Sequence, residues 1–308
     1  MSFIIVAPSY NEKVGGALVL HKLCDLINNL GYTAYIWPIP HWPFLRAVRG
    51  CGFGISLRRT IKNFVRAIRG KEKPRFLLNH KLNTPLAKIQ NLHGGFIAVY
   101  PETVDAIPLY SKHVVRWFLY KPNFHSSKVR YSTDELLFHY QDAFLDERLK
   151  SKGSSKFTIL HLMTDIYRQT NFGIRRGSCH IIRKGKYKKL NHHNKDSIII
   201  DNLTHEQAAK VFNQVEYCVS YDVHTMLAYY AVLCGCKVIV VPDEGVTVEQ
   251  WQPIEEFRYG LAYGKENFPW AEKTRHLLLE RLQRIEEQNI DSTKQFVERC
   301  ISHFNLKS

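Results

Sequence analysis

The chain has 308 residues, 45% of them hydrophobic, and its 43 lysines and arginines exceed its 28 aspartates and glutamates to give a net charge of +15. This length and composition predict a globular protein with room for two domains of about 150 residues each. They exclude a bilayer-spanning helix, since no stretch approaches the roughly 20 apolar residues required. The N-terminus lacks the basic region of a signal peptide, so the sequence predicts a cytoplasmic protein.

The seven cysteines are odd in number and scattered along the chain. Several lie within apolar strand patterns, where a reduced thiol packs as a small hydrophobe. Their spacing matches no zinc motif, and the chain contains no Asp-x-Asp pattern. The sequence therefore predicts no metal site and no cofactor.

The first predicted elements are a buried strand from Phe3, a glycine loop and an amphipathic helix over residues 17–30. Apolar residues recur at helical spacing along this helix, and Gly31 marks its end. Gly15 and Gly16 carry no Cβ, so the backbone there can approach a bound group closely.

The densest positive charge lies in residues 41–76, which contain ten lysines and arginines and the single acid Glu72. Apolar residues recur there at helical spacing, flanked by basic residues. The pattern is typical of a helix that lies on an anionic membrane surface. A core-packing helix with a solvated charged face fits it equally well. Nucleic acid is disfavoured as a partner, because no DNA- or RNA-binding motif accompanies the charge.

A third block begins with a strand over residues 96–99, which Pro101 ends and which leaves Glu102 at the carboxyl edge of the sheet. Glu102 and Asp105 are candidates for a base that acts on an acceptor. A solvated acidic pair in a loop is the simpler alternative for either. Residues 112–119 predict a short helix.

The middle of the chain marks the boundary between the two predicted domains. Residues 124–156 predict a less regular region and residues 157–162 the last strand of the first domain. The link is placed at residues 170–177. We therefore predict two domains, residues 1–172 and 173–308.

The second domain opens with a strand from Ser178 that ends in a basic turn at Arg183 and Lys184. A merely solvated turn is the alternative interpretation of these two residues. A strand over residues 197–200 and a helix over residues 204–215 follow. The helix begins with a capping-box pattern, a threonine with a glutamine three positions later.

Residues 214–245 carry the most informative pattern, a strand, a polar turn, an apolar helix, a glycine turn and a second buried strand. In a parallel sheet the polar turn lies at the carboxyl edge, where ligands bind, and it opens a helix whose free N–H groups attract phosphate. The polar side chains placed there are Tyr221, Asp222, His224 and Thr225. The alternative is a βαβ unit without a ligand, in which Asp222 and Thr225 only cap the helix.

Three further helices are predicted at the end of the chain, over residues 249–257, 270–285 and 292–304.

Residues 214–245 resemble the donor-binding core of glycosyltransferases with the GT-B fold, in which two Rossmann-like domains face each other across a cleft. The Gly15-Gly16 loop is similar to the glycine loop of their first domain. Residues 100–102 and 114–117 look like those of bacterial glycosyltransferases that build surface polysaccharides. This resemblance implies an α/β fold with an acceptor domain followed by a donor domain.

One position departs from the family pattern. Asp222 falls on the first acidic position of many retaining members, but Tyr230 replaces a second acidic residue, a glutamate. A carboxylate there accepts hydrogen bonds from both ribose hydroxyls, which a phenol does only in part. The departure puts the usual ribose contact in doubt.

The resemblance implies a role for each candidate residue. Arg183 and Lys184 would hold the donor diphosphate. Thr225 and the start of its helix would bind a phosphate oxygen. Asp222 would bind the sugar hydroxyls. Tyr221 and His224 would line the same donor site. Gly15 and Gly16 would close over the donor, Glu102 would orient or deprotonate the acceptor, and a C-terminal helix would cross back to the first domain.

The expected function is the metal-independent transfer of a sugar from a nucleoside-diphosphate donor to a hydroxyl of a lipid-linked or surface glycan, such as lipopolysaccharide or capsule. The protein would work in the cytoplasm, peripherally on the inner face of the membrane. Two alternatives remain open, a sugar-nucleotide epimerase of the same fold and a non-catalytic basic protein that binds membrane or nucleic acid.

Overall fold

The structure is a computed structural model that describes residues 1–38, 76–93, 95–104, 109, 111–124 and 134–306. The chain divides into two compact units. The first comprises Met1–His161 and Gln288–Ser308, and the second comprises Leu162–Glu287. The proposed membrane segment, residues 41–76, lies outside the described residues except for Phe76, and so does Asp105.

The described strands and helices alternate along the chain, as expected of an α/β protein. The strands are β1 Ser2–Ala7, β2 Thr33–Pro38, β3 Phe96–Pro101, β4 His113–Phe118, β5 Leu136–His139, β6 Ser155–Lys156, β7 Ser178–Ile181, β8 Ile198–Ile199, β9 Tyr217–Ser220, β10 Lys237–Val240 and β11 Leu261–Tyr263. The α-helices are α1 Gly15–Asn29, α2 Glu147–Ser151, α3 His205–Gln214, α4 Met226–Leu233, α5 Val248–Trp251, α6 Phe268–Thr274, α7 Leu278–Glu287 and α8 Asn289–His303.

The first unit contains a parallel sheet of six strands in the order β2-β1-β3-β4-β5-β6. A single parallel bridge, Ile36 to Leu86, continues the sheet beyond β2. When the bridge at Leu86 is counted as the third strand along the chain, the seven strands lie in the order 3-2-1-4-5-6-7. This is the winding of a Rossmann-like sheet.

The second unit contains a parallel sheet of five strands in the order β11-β10-β9-β7-β8. In both sheets the second strand along the chain pairs with one side of the first strand, and a later strand pairs with its other side. The reversal lies between β1 and β3 in the first sheet and between β7 and β9 in the second. Doubly wound proteins bind ligands outside the carboxyl ends of the strands at this reversal.

The helix α8 completes the core of the first unit. Its Phe296 is 2% exposed and stacks on Phe157 with ring centroids 4.4 Å apart. The same ring contacts Phe138 and Phe3 at 4.8 and 6.2 Å. The structure thus groups the last helix with the first unit, and the division between the units falls at residues 161 and 162, ahead of the predicted boundary.

Two predicted elements of the first unit are wrong. Residues 112–119 form the strand β4, not a helix, and residues 157–162 contain no strand because the sheet ends with β6. A central parallel strand is buried on both faces, so its apolar run lacks the alternation that distinguishes it from a buried helix. The strand β5 lies within the stretch predicted to be less regular.

The elements predicted for the second unit are largely confirmed. Thr204 caps α3 through a capping box with Gln207. The helix predicted over residues 270–285 is two helices, α6 and α7, joined by a 3-10 turn, and only the first part of residues 249–257 is α-helical, as α5. Among the described residues, none of the helices combines the length and apolarity that crossing a membrane requires.

Candidate functional site

A rigid basic turn follows β7 at the reversal of the second sheet. The Asp201 carboxylate accepts hydrogen bonds from the backbone N–H groups of Ile182 and Arg183, at 3.0 and 2.6 Å. Arg183 has a φ of 38°, in the left-handed region that residues other than glycine seldom adopt. Such strain costs on the order of 1 kcal/mol or more and is common at ligand sites. Asp201, which the sequence did not single out, therefore holds the turn in an unusual conformation.

The turn packs directly on the end of β9. A Cβ added to Gly185 would overlap the backbone carbonyl of Tyr221 and lie 2.7 Å from its Cβ. Only glycine allows the loop after β7 to approach the loop after β9 this closely. The loops that carry Lys184 and Asp222 are therefore held side by side.

The buried side chain of Tyr221 stabilises the packing of these two loops. Its side chain is fully buried, and burial raises the pKa of its hydroxyl. The hydroxyl oxygen accepts a hydrogen bond from the backbone N–H of His192 at 2.8 Å and lies 2.7 Å from Nδ1 of His193. Tyr221 thus fixes the loop of residues 186–193 rather than presenting its hydroxyl to a ligand.

Lys184 and Asp222 meet at the carboxyl edge of the sheet. Lys184 Nζ lies 3.9 Å from Asp222 Oδ2 and donates to the carbonyl of His224 at 3.3 Å. Asp222 Oδ1 accepts the backbone N–H of His224 at 3.1 Å. Asp222 Oδ2 is buried and has no hydrogen-bond partner among the described residues. A buried carboxylate oxygen without a donor is costly, so the arrangement favours an incoming hydroxyl or other donor.

Thr225 and His224 open the helix α4. The Thr225 hydroxyl accepts the backbone N–H of Leu227 at 3.3 Å, and its residue is 8% exposed. His224 Nδ1 lies 3.5 Å from Nε2 of the buried Gln252. Because the threonine hydroxyl already caps the helix, we expect the helix backbone rather than this side chain to supply the donors for an anion.

An open cavity of about 820 Å³ lies beside these loops. Its walls come from the loop after the basic turn and the loop after β10, and they comprise Tyr187, Lys188, Lys189, His192 and residues 241–247. This volume is within the range of about 300–1,000 Å³ that small-molecule sites occupy. None of the predicted donor residues lines the cavity.

A network of polar contacts shapes one wall of the cavity. Lys188 Nζ lies 2.7 Å from Asp243 Oδ1 and donates to the carbonyl of Val241 at 2.6 Å. The Tyr187 hydroxyl donates to the same Asp243 oxygen at 2.6 Å. Partial burial of this hydroxyl together with the bond raises the pKa of Tyr187, although the residue as a whole is exposed. The sequence offers one indication of this wall, because residues 242–245 directly follow a buried strand.

Tyr230 occupies the interior of the second unit. It is 3% exposed, and its ring stacks on Tyr167 with centroids 4.1 Å apart and planes 3° apart. Burial raises the pKa of its hydroxyl. A side chain in this position packs in the core and takes no part in a ribose contact.

In the first unit, Gly15 and Gly16 begin α1. Neither has a positive φ. Among the described residues, a Cβ on Gly15 would meet nothing within 4 Å, and one on Gly16 would touch only Leu119, at 3.6 Å. The N-cap residue Val14 makes no side-chain hydrogen bond to the helix. The packing of the described residues requires neither glycine, which leaves the backbone there accessible to a bound group.

Glu102 lies at the same edge of the first sheet. It is 7% exposed, and its Oε2 accepts the backbone N–H of Leu119 at 3.0 Å, directly after β4. Leu119 is also the neighbour of Gly16. Gly16 and Glu102 therefore both neighbour Leu119, at the reversal between β1 and β3.

A buried ion pair, missed from the sequence, anchors the stretch that carries Glu102. Arg116 Nε lies 2.8 Å from Glu135 Oε2, and both side chains are at most 2% exposed. The Arg116 guanidinium also donates to the carbonyl of Val104, which follows Glu102 by two residues. The signal in the sequence was an arginine within the apolar run of β4. Burial of a charge there requires an acidic partner.

The cysteines in the described part of the chain are free and buried, at positions 24, 179, 218, 234, 236 and 300. Within the same residues, no cluster of three or more His, Cys, Asp or Glu side chains is arranged to hold a metal ion.

No protein-family model matches the chain, and no curated protein is significantly similar to it in sequence.

Proposed function

We propose that the protein is a glycosyltransferase of the GT-B type, which moves a sugar from a nucleoside-diphosphate donor to a hydroxyl of a lipid-linked or surface glycan. One observation carries the proposal. Lys184 and Asp222 lie 3.9 Å apart at the reversal of the second sheet, where doubly wound proteins bind nucleotides. A cation for the diphosphate and an acceptor for sugar hydroxyls are thus side by side.

The donor diphosphate would bind at the basic turn. Arg183, Lys184 and the free N–H groups of α4 supply positive charge where the departing nucleoside diphosphate gains negative charge. The Lys184 ammonium, which covers Asp222 Oδ2, would shift towards the phosphates. That movement would uncover the carboxylate oxygen for a hydroxyl of the donor sugar.

The nucleoside of the donor would occupy the neighbouring cavity. The ring of Tyr187, a residue that is 64% exposed, offers a face for a base, and the bond from its hydroxyl to Asp243 fixes the orientation of that ring. Lys189 and His192 add polar groups at the wall. The cavity adjoins the basic turn through the same loop, as a nucleotide with an attached diphosphate requires.

The acceptor would bind against the first unit. Glu102 would take the proton of the acceptor hydroxyl while its oxygen bonds to the anomeric carbon and the bond from that carbon to the diphosphate breaks. Gly15 and Gly16 would close over the donor from this side. In glycosyltransferases of the GT-B type the carboxyl edges of the two domains face each other across a cleft. A base at Glu102 suits inversion, whereas Asp222 at the acidic position suits retention.

A thermal-shift panel of UDP-, GDP-, CMP- and dTDP-sugars tests the donor site. We expect one class to raise the melting temperature by mass action. In the Lys184→Gln variant its affinity should fall about tenfold to a hundredfold, because a charge-assisted hydrogen bond is lost. Lys186→Ala, which removes an exposed cation from the same loop, is the matched control and should bind as the unaltered protein does.

The outcomes separate the candidate functions. Turnover of the nucleotide sugar without an acceptor would identify an epimerase instead. A protein that no nucleotide sugar stabilises would contradict the donor site and favour a non-catalytic binding protein. Equal binding by the Lys184→Gln and Lys186→Ala variants would remove Lys184 from the site.

A further inference from the structure

The loop that precedes β7 exposes two large apolar side chains. Phe172 is 82% exposed and Ile174 is 87% exposed, the highest values for large hydrophobic residues in the described part of the chain. They lie two positions apart on residues 168–176. Scattered exposed hydrophobic residues are common, but two adjacent ones held almost wholly in solvent call for a partner.

Hydrogen bonds hold this loop in place, so the exposure of Phe172 and Ile174 is a feature of the folded unit. The Arg175 guanidinium donates to three backbone carbonyls, those of Asn171, Phe212 and Cys234, at 2.6, 3.0 and 2.6 Å. Gly235, with a φ of 97°, makes room for it, since a Cβ there would lie 2.6 Å from the guanidinium. Arg175 therefore ties the loop to the ends of α3 and α4.

Asn213, at the end of α3, fixes the loop from a second side. Its Oδ1 accepts the backbone N–H groups of Thr170 and Asn171 at 2.7 and 3.2 Å, and Asn171 Nδ2 donates back to its carbonyl at 2.9 Å. Asn171 Oδ1 in turn accepts the N–H of Gly173 at 2.9 Å. The residues that carry Phe172 and Ile174 are thus pre-organised, and little ordering entropy is lost when a partner covers them.

Residues 166–177 themselves carry only positive charge. They contain three arginines and no acidic residue. Arg168 and Arg176 are exposed on either side of the apolar pair. Glu216, whose N–H bonds to the carbonyl of Gly177, is paired with Lys237 at 2.9 Å. The surface is therefore apolar at its tip and cationic at its rim.

We infer that residues 168–176 dock the protein on an anionic phospholipid surface, with Phe172 and Ile174 entering the boundary between headgroups and acyl chains. An apolar tip with flanking arginines complements such a surface in both hydrophobicity and charge. Two side chains are too few for the area of roughly 800 Å² per partner that a stable protein interface buries. The inference does not depend on the proposed activity.

The position of the loop is compatible with a ligand site on the same unit. The loop leads into the amino end of β7, whereas Lys184 and Asp222 lie beyond the carboxyl ends of β7 and β9. Docking through this loop would therefore leave the opposite edge of the second sheet open to a soluble donor.

Vesicle co-sedimentation with the full chain tests the inference. We expect binding to vesicles of phosphatidylcholine with phosphatidylglycerol, and weaker binding to phosphatidylcholine alone. Phe172→Ser with Ile174→Ser should lower the partition coefficient at least about tenfold. Arg168→Gln with Arg176→Gln should lower it on anionic vesicles by about fivefold for each charge, with a reduced salt dependence. Ile290→Ser, at a residue 58% exposed on α8, is the matched control and should leave binding unchanged.

A second measurement reports on the loop itself. A Phe172→Trp variant should show extra quenching by brominated lipid, beyond that of the unaltered protein. The melting temperatures should not change, because both apolar side chains are already solvated. Equal binding by the double serine variant and the unaltered protein would overturn the inference. Absence of vesicle binding by the unaltered protein would also overturn it, leaving a protein surface as the occupant.

Discussion

At the residue scale, two glycines of the candidate site, Gly185 and Gly15, differ in whether packing requires a glycine. Gly185 is required by the fold, because the backbone of Tyr221 occupies the space of its Cβ. Gly15 has an ordinary φ, and no atom of the described residues lies within 4 Å of the place of its Cβ. Substitution by alanine therefore distinguishes a glycine that serves packing from one that serves a ligand.

We predict that Gly185→Ala lowers the free energy of unfolding by about 1–3 kcal/mol, because the added methyl forces the loops after β7 and β9 apart. Gly15→Ala, the control, should keep or slightly raise stability and weaken donor affinity. Urea denaturation measures the first effect and nucleotide-sugar titration the second. A stable, fully active Gly185→Ala variant would show that the two loops are not closely packed.

The sequence placed Lys184 and Asp222 at the second edge, but it did not indicate what holds them there. The placement of Lys184 and Asp222 followed from strand ends in a parallel sheet, a local pattern. Asp201 and the close approach of Gly185 depend on contacts between loops distant in the chain. Such contacts leave no periodic signal in a single sequence.

At the scale of elements, strands proved harder to predict than helices. The helices α1, α3 and α8 have one apolar face each, which their spacing reveals. The strand β4 is buried along its length and was mistaken for a helix. The strand β6 has only two residues, Ser155 and Lys156, neither of them apolar, so no pattern could indicate it.

The helix α8 should be essential to the first unit. Phe296→Ala would leave a cavity among Phe3, Phe138 and Phe157, and we expect a loss of about 3–5 kcal/mol in the free energy of unfolding. Ile290→Ala, on the exposed side of the same helix, should change it by no more than about 0.5 kcal/mol. Chemical denaturation followed by circular dichroism gives both values. Equal stability of the two variants would mean that α8 contributes little to this core.

At the scale of the whole molecule, the two sheets share one winding rule although the sequence contains no repeat. In each sheet the candidate site residues follow the first strand and the strand that returns beside it. The order of strands, loops and helices, together with the family resemblance, predicted the α/β class that both parallel sheets show. The activity is less predictable, because a shared fold supports many chemistries.

Acid should destabilise both units through buried histidines. Burial lowers the pKa of His21 in the first unit, and burial together with the adjacent His193 lowers that of His180 in the second. His180 stacks on His193 at 3.8 Å, and its Nδ1 faces the Ser197 hydroxyl at 3.0 Å, while the more weakly acting Asp201 raises its pKa.

The sign of the effect follows from linkage. A histidine with a lowered pKa binds its proton more readily in the unfolded chain, where its pKa is about 6.5. The free energy of unfolding should therefore be greatest above that value and fall as the pH drops through it towards the lowered pKa. The midpoints of urea denaturation, measured at several pH values across this range, give the slope of stability against pH. His180→Gln should flatten it, whatever the substitution costs at neutral pH, because glutamine does not titrate. A slope unchanged by both His180→Gln and His21→Gln would show that other groups govern the acid response.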